Sequence, residues 1–80
     1  MGDKDINVHI REQADGWSWE VRYVNESVCS GKAVSLPRAL RIARDTARRE
    51  GWEFGRLTLV REHEEPDGYA HMVYGANITF

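Results

Sequence analysis

Hydrophobic residues recur with helical spacing in one stretch of the chain, residues 35–50. On a helical wheel of about 100° per residue, the apolar side chains of this stretch fall on one stripe. The stripe consists of Leu36, Ala39, Leu40, Ala43 and Ala47. Ser35 suits the N-cap, and Gly51 suits the left-handed residue that ends many helices. The pattern predicts one amphipathic helix that packs its apolar face on the rest of the domain.

Alternating apolar and polar positions predict strands before this helix. Residues 6–11 and 17–24 alternate with period two, and Gly16 lies in the turn between them. This arrangement is typical of an antiparallel hairpin. Residues 27–34 predict a weaker third strand, because Gly31 lacks a side chain that could pack against a neighbouring strand.

Two further strands are predicted after the helix. Residues 56–63 alternate, with Leu57, Leu59 and Arg61 expected on one face. A turn at residues 64–68 leads into a return strand at residues 69–74. Residues 75–77 are expected to interrupt this strand as a bulge or a further turn.

The order of elements is therefore β-β-(β)-α-β-β within a single domain, residues 1–80. We predict a two-layer α+β fold, in which one helix covers one face of an antiparallel sheet of four to five strands. Antiparallel sheets tolerate one face in water. The uncovered face should carry His9, Arg11, Glu20 and Arg22. At least one of Trp52 and Phe54, which follow the helix, should close the end of the core.

The aromatic residues of the second strand allow two interpretations. Trp17, Trp19 and Tyr23 share one face of that strand. An exposed aromatic face can stack single-stranded bases. The facing residues of the first strand are aliphatic, however, which favours a place in the hydrophobic core. We expect these three side chains to belong to the core.

Composition excludes several classes of protein. The net charge is −2, and 41% of the residues are hydrophobic, which is ordinary for a soluble domain. No apolar run approaches the ~18 residues that a membrane span requires, and the acidic N-terminal residues do not resemble a signal peptide. Cys29 is the single cysteine, so an internal disulfide is excluded and a reducing, cytoplasmic location is expected.

Charge is distributed unevenly along the chain. Residues 35–56 contain six arginines and three acidic residues, whereas residues 57–80 contain one arginine and four acidic residues. The candidate partner-binding residues are Arg38, Arg41, Arg44, Arg48 and Arg49, with Glu64, Glu65 and Asp67 as a second patch. Arginine favours bidentate contact with phosphate or carboxylate. The helical arginines therefore suit a protein partner or a nucleic acid, and a merely solvated helix face is the third interpretation.

Residues able to bind metal or catalyse a reaction are sparse. The chain has three histidines and one cysteine, with no CxxC or HExxH motif and no phosphate-binding glycine loop. His63 and His71 could face each other across the final hairpin, but this would give a pair at most. We therefore expect no metal site, no cofactor and no enzymatic activity. The domain should act as a monomer or a weak homodimer.

In pattern and topology, most of the chain resembles the small type I anti-CRISPR proteins carried by phages and mobile elements. The resemblance rests on the hairpin around WSWEVRYV, the helix SLPRALRIARDTARREG, and the closing segments GRLTLV and YAHMVYG. It implies a non-enzymatic inhibitor in the cytoplasm of a bacterial host. Such an inhibitor binds a Cas or Cascade subunit and blocks the binding or cleavage of target DNA. A small nucleic-acid-binding module that uses the arginine-rich helix is the alternative.

Overall fold

The computed structural model describes residues 5–24 and 26–77, which form a two-layer α+β domain. The elements are β1 (Ile6–Gln13), β2 (Gly16–Tyr23), β3 (Glu26–Ala33), α1 (Leu36–Arg49), β4 (Thr58–Glu64) and β5 (Ala70–Ala76). All strand pairs are antiparallel, and the sheet has the order β3-β2-β1-β5-β4. The predicted fold class is confirmed, and the weak third strand is present.

The hydrophobic core lies between α1 and one face of the sheet. Ile6, Val8 and Ile10 of β1 are fully buried, as the period-two pattern predicts. The helix contributes three fully buried alanines, Ala39, Ala43 and Ala47. Small side chains at these positions let the helix backbone approach the sheet closely. The aromatic residues of β2 belong to the core, as expected. Trp19 is buried, and the partly buried Trp17 and Tyr23 pack against the core cluster.

Both ends of α1 follow the capping signals in the sequence. Ser35 has extended backbone angles, and its hydroxyl accepts a hydrogen bond from the Arg38 N–H at 3.3 Å. Gly51 has φ +93° after the last helical turn, a conformation that costs glycine little. With 14 residues, five of them arginine, α1 is too short and too polar to cross a membrane, and it is the one helix of the described residues.

Gly31 is required by a close approach rather than by its backbone angles. It lies opposite Trp19 in the β2–β3 pair. A Cβ atom at position 31 would stand 2.7 Å from the Trp19 ring atom Cζ2, well inside van der Waals contact. The glycine that weakens the strand pattern therefore gives the buried indole its place in the core.

The helix covers only part of its face of the sheet. α1 packs closest to β3, β2 and β1, whereas the backbones of β4 and β5 lie farther from the helix. Residues 50–57 connect the helix to β4, and in this connector Phe54 is buried while the Trp52 ring lies 4.8 Å from the Tyr23 ring. The prediction that a connector aromatic closes the core is confirmed. Leu59 of β4 is half exposed, because the helix does not extend over this strand.

Two predictions about the last two strands are wrong. Gly75 and Ala76 continue β5 instead of interrupting it, because β5 is an inner strand: β1 pairs with both residues, and β4 pairs with Gly75. Residues 78–80 lie outside the described part of the chain. In β4, the register shifts between Leu59 and Arg61, so these residues face opposite sides of the sheet. A bulge of this kind inserts one residue, here Val60, and reverses the alternation beyond it.

Candidate functional site

The outer face of α1 is a cationic surface. Arg38, Arg41, Arg48 and Arg49 are exposed there, together with Ile42. The side chains of Arg38, Arg41 and Arg49 make no hydrogen bond or ion pair with any described residue. We call Arg38, Arg41, Ile42 and Arg49 the outer helix face. These guanidinium groups are available for contacts outside the chain.

Arg44 has a structural role. Its Nη1–H donates to the Phe54 carbonyl at 3.0 Å, and its Nη2–H donates to the Gly55 carbonyl at 2.8 Å. The guanidinium carbon also lies 5.0 Å from the centre of the Phe54 ring, within the range of a cation–π contact. Arg44 therefore fastens the connector to the helix. Because its donors are engaged, we leave it out of the outer helix face.

Arg48 occupies an intermediate position. Its Nε lies 3.6 Å from Glu53 Oε1, and more than half of each side chain is exposed. Ion pairs of this kind contribute about 0–1 kcal/mol. A partner carboxylate could replace Glu53 at little cost, but Arg48 is a weaker candidate than the arginines without a partner.

The predicted acidic patch is less uniform than its sequence indicates. The Asp67 carboxylate accepts a hydrogen bond from the Tyr69 N–H at 3.0 Å and so stabilises the final turn. Glu65 is bound to two histidines, whereas Glu64 is exposed at the end of β4. These acidic residues belong to the β4–β5 hairpin, whose backbone lies farther from α1 than the other strands do, so they and the outer helix face are two separate surfaces.

Three histidines and one glutamate meet on the face of the sheet opposite α1. His63 and His71 are direct partners in the β4–β5 pair, as the hairpin predicts. Glu65 Oε1 lies 3.2 Å from His63 Nε2 and 3.0 Å from His71 Nδ1, and His9 Nδ1 lies 3.2 Å from His71 Nε2. We call these four residues the histidine cluster. The expectation of an isolated histidine pair is wrong.

Sequence reasoning missed two members of this cluster for different reasons. His9 reaches His71 because β1 pairs with β5, a pairing between distant segments that alternation alone does not indicate. Glu65 stands beside Glu64 and close to Asp67, so the sequence indicates a charged patch and not a partner for a histidine. Its position two residues after His63, at the start of the turn that returns to His71, is the one signal that could have identified it.

Hydrogen-bond chemistry defines the protons of the cluster in its neutral form. A carboxylate only accepts, so His63 Nε2–H and His71 Nδ1–H both donate to Glu65. The remaining nitrogen of neutral His71, Nε2, then accepts from His9 Nδ1–H. Burial lowers the pKa of His71 below its ordinary value, although the hydrogen bond to Glu65 raises it in part. Burial, with the nearby His71, also lowers the pKa of His9. Both effects favour the neutral rings.

Glu65 completes this picture from the carboxylate side. Its hydrogen bond with His71 lowers the pKa of the carboxyl group, and the bond with His63 acts in the same direction. The group is therefore a stable anion at neutral pH. The neutral rings of His9 and His71 therefore stand beside the Glu65 carboxylate, which is partly exposed to solvent.

Cys29 lies apart from this cluster. It is half-buried on β3, and burial, followed by the negative charge of Glu50, raises the pKa of its thiol. A raised pKa reduces the thiolate fraction and hence nucleophilic reactivity. The structure thus gives Cys29 the environment of a core residue.

Comparison with known proteins assigns neither a family nor a function to this chain. No family model matches the sequence, and no curated protein or solved structure is significantly similar to the chain. The function must therefore be argued from the two surfaces described above.

Proposed function

We propose that this chain is a non-enzymatic protein-binding domain, of the inhibitor or adaptor kind, that recognises an acidic surface through the outer helix face. One observation carries the proposal. Arg38, Arg41 and Arg49 are exposed and unpaired among the described residues, and they lie on the same helix surface as Ile42, which is 37% exposed. Arginine together with an apolar side chain is a composition that protein interfaces favour.

The position of Arg38 supports a role outside the fold. It lies in the first turn of α1, where no acidic residue is present. A positive charge at a helix N-terminus opposes the helix dipole, and the pair Arg38 and Arg41 has a repulsive spacing. Neither arginine stabilises the helix through these interactions. An acidic partner would supply the missing compensation.

The resemblance to type I anti-CRISPR proteins specifies this proposal further. The partner would then be a subunit of a Cas or Cascade effector, and binding would block its access to target DNA or the subsequent cleavage. The direct test is a gel-shift assay with purified type I effector complexes and target DNA, with and without the chain. Loss of the shifted species upon addition of the chain supports inhibition. Undiminished target binding and cleavage by every complex tested contradicts this identity.

The contact surface is tested with matched charge reversals. We expect the double variant Arg38→Glu/Arg41→Glu to lose at least tenfold in affinity for the partner identified. Arg56→Glu is the control for a single charge reversal, because it makes half of the double variant's charge change, at an exposed residue of the connector. If the double variant and the control bind equally well, the outer helix face is not the interface.

A nucleic-acid-binding module is the second candidate, favoured by the same row of exposed arginines. Binding to a phosphate backbone releases counterions, so affinity falls steeply with salt. A gel-shift series with DNA and RNA from 50 to 200 mM salt distinguishes the candidates (roughly the range over which such binding is lost). Absence of any shift at the lowest salt excludes this module, whereas a steep salt dependence favours it over the protein-binding domain.

A further inference from the structure

The histidine cluster brings together donor atoms that are far apart in the sequence. His63 belongs to β4, Glu65 to the turn, and His71 to β5. The bulge at Val60 places His63 on the same face of the sheet as His71. One donor atom from each of His63, Glu65 and His71 lies within 4.8 Å of the other two. Cross-strand pairing therefore fixes the relative positions of these side chains.

We propose that His63, Glu65 and His71 bind a divalent transition-metal ion, for which zinc is the best fit. Two imidazole nitrogens and one carboxylate oxygen form the ligand set of open zinc sites, which leave a fourth position for water or another ligand. This proposal is independent of the outer helix face, since the three side chains lie on the face of the sheet opposite α1.

The distances between donor atoms suit a tetrahedral ion. Zinc binds nitrogen and oxygen at about 2.0–2.2 Å, so adjacent donors of a tetrahedral site lie about 3.3 Å apart. Glu65 Oε1 lies 3.2 Å from His63 Nε2 and 3.0 Å from His71 Nδ1. The donor atoms of His63 and His71 lie within 4.8 Å of each other. Because the His63 and Glu65 side chains are partly exposed, they have room to rotate and shorten this third distance.

The protons of the cluster show what the ion would replace. His63 Nε2–H and His71 Nδ1–H both point at the same carboxylate oxygen, and a bound ion takes the place of these two protons. His71 would then carry its remaining proton on Nε2 and donate it to His9 Nδ1, at the observed 3.2 Å. Histidine ligands commonly donate their second N–H in this way, which orients the ring. His9 is thus a positioning residue.

Burial and charge define how the site would behave. His71 is buried, whereas His63 and Glu65 are partly exposed, so the ion would have one side against the sheet and one side towards solvent. Arg11 is the direct partner of His71 in the β1–β5 pair. Its positive charge opposes a bound cation, and the Glu65 carboxylate favours one. A neutral external ligand or water could complete the coordination from the solvent side.

Metal binding is tested on the full chain purified without a polyhistidine tag and treated with a chelator that is then removed. Zn²⁺ is titrated by calorimetry, and the ring nitrogen signals of the histidines are followed by ¹⁵N NMR. We expect saturable binding of one ion per chain. The largest changes should occur at His63 Nε2 and His71 Nδ1.

The variants His63→Ala and Glu65→Gln should weaken Zn²⁺ binding by at least tenfold, because loss of a ligand costs no less than loss of a residue that orients one. Glu64→Gln is the matched control for Glu65→Gln: it removes one carboxylate from the same hairpin, on the opposite face of β4. The Zn²⁺ affinity of Glu64→Gln should stay within twofold of that of the unsubstituted protein. His63 is exposed, so its variant should fold even if a variant at buried His71 does not.

A variant of His9 could weaken metal binding because the His71 ring loses its orientation or because the domain folds less well. The test must therefore separate these two effects. His9→Gln offers an amide oxygen that accepts the His71 Nε2–H bond, whereas His9→Ala offers none. We expect His9→Ala to lose about 10–100-fold in affinity and His9→Gln to recover part of it, with the Nε2–H signal of His71 restored. The proposal is overturned if the folded protein shows no saturable Zn²⁺ binding at millimolar concentration. It is equally overturned if His63→Ala and Glu65→Gln bind as tightly as Glu64→Gln.

Discussion

The two halves of the sheet are built differently. Strands β1, β2 and β3 are covered by α1, and Ile6, Val8, Ile10 and Val21 are fully buried beneath it. All seven residues of β4 are exposed, and α1 does not reach this strand. We call β1, β2 and β3 the covered half, and β4 and β5 with the turn between them the open half, in which β5 still buries Met72 and Ala76. The difference indicates that the covered half supplies most of the stability, while the open half contributes His63, Glu65 and His71 of the histidine cluster.

The largest expected effect comes from removing matched apolar groups in the two halves. Ile10→Ala should lower the free energy of unfolding by about 2–5 kcal/mol, because it leaves a cavity in the core. Leu59→Ala should cost less than about 1 kcal/mol, because Leu59 is 50% exposed on β4. Urea unfolding followed by tryptophan fluorescence measures both values. Equal losses in the two variants would contradict the contrast between the halves.

A second test addresses the link between the halves. Arg44 reaches from α1 to the carbonyls of Phe54 and Gly55, just before the chain enters β4. Hydrogen bonds from charged groups contribute more than neutral ones, and partial exposure reduces this gain. We expect Arg44→Ala to lower the free energy of unfolding by about 1–2 kcal/mol.

Arg41→Ala is the control for this variant, since the same residue type stands exposed on the same helix. It should change stability by no more than about 0.5 kcal/mol. Arg44→Lys keeps the positive charge but loses the bidentate geometry of the guanidinium group. Its free energy of unfolding should therefore stay close to that of Arg44→Ala. If Arg41→Ala costs as much as Arg44→Ala, then helix propensity rather than the link to the connector explains the loss.

Local signals in the sequence were sufficient for the covered half. The period-two pattern of residues 6–11 and the aromatic face of the next strand predict the first hairpin, and Ser35 and Gly51 mark the ends of the helix. These signals act through neighbouring residues, so the chain displays them directly. The pairing of His63 with His71 was also accessible, because a hairpin turn joins their strands.

Features that depend on distant pairing were not accessible in this way. His9 meets His71 because β5 inserts between β1 and β4, and nothing near His9 indicates that order. The sequence does not distinguish Arg44 from the other helical arginines. The groups that accept its hydrogen bonds are backbone carbonyls, which a residue of any type can supply. The sequence around Gly75 indicates an interruption of the strand, but β1 and β4 both pair with this residue and keep it in the sheet. In each case a long-range contact outweighs the local preference.

Acidification should act on the open half first. Both His9 and His71 have a pKa below the ordinary value of 6.5, so below that pH the unfolded chain binds more protons than the folded protein. Stability is therefore full above pH 6.5 and falls as the pH decreases. Glu65, whose pKa lies below its ordinary 4.5, adds a loss of the same sign at lower pH.

Hydrogen exchange measured by NMR at pH 7.5 and pH 5.5, with a chelator present, resolves this effect by strand. At pH 5.5, amide protection corrected for the intrinsic exchange rate should decrease in β4 and β5 more than in β2 and β3. An equal decrease throughout the sheet would show that the histidines act on the whole domain, not on the open half.

The smallest expected effect lies in the covered half and has the opposite sign. Ser35 is the N-cap and Arg38 stands three residues later, where a glutamate could bond back to the N-cap backbone N–H. Arg38→Glu also replaces an unfavourable charge with a favourable one at the helix N-terminus. We therefore expect the free energy of unfolding to rise by about 0.5–1 kcal/mol, or the Tm by a few degrees. Partner binding should weaken in the same variant. A natural arginine where glutamate is better for the helix is explained by a contact outside the fold, whereas loss of both stability and binding would assign Arg38 to the fold itself.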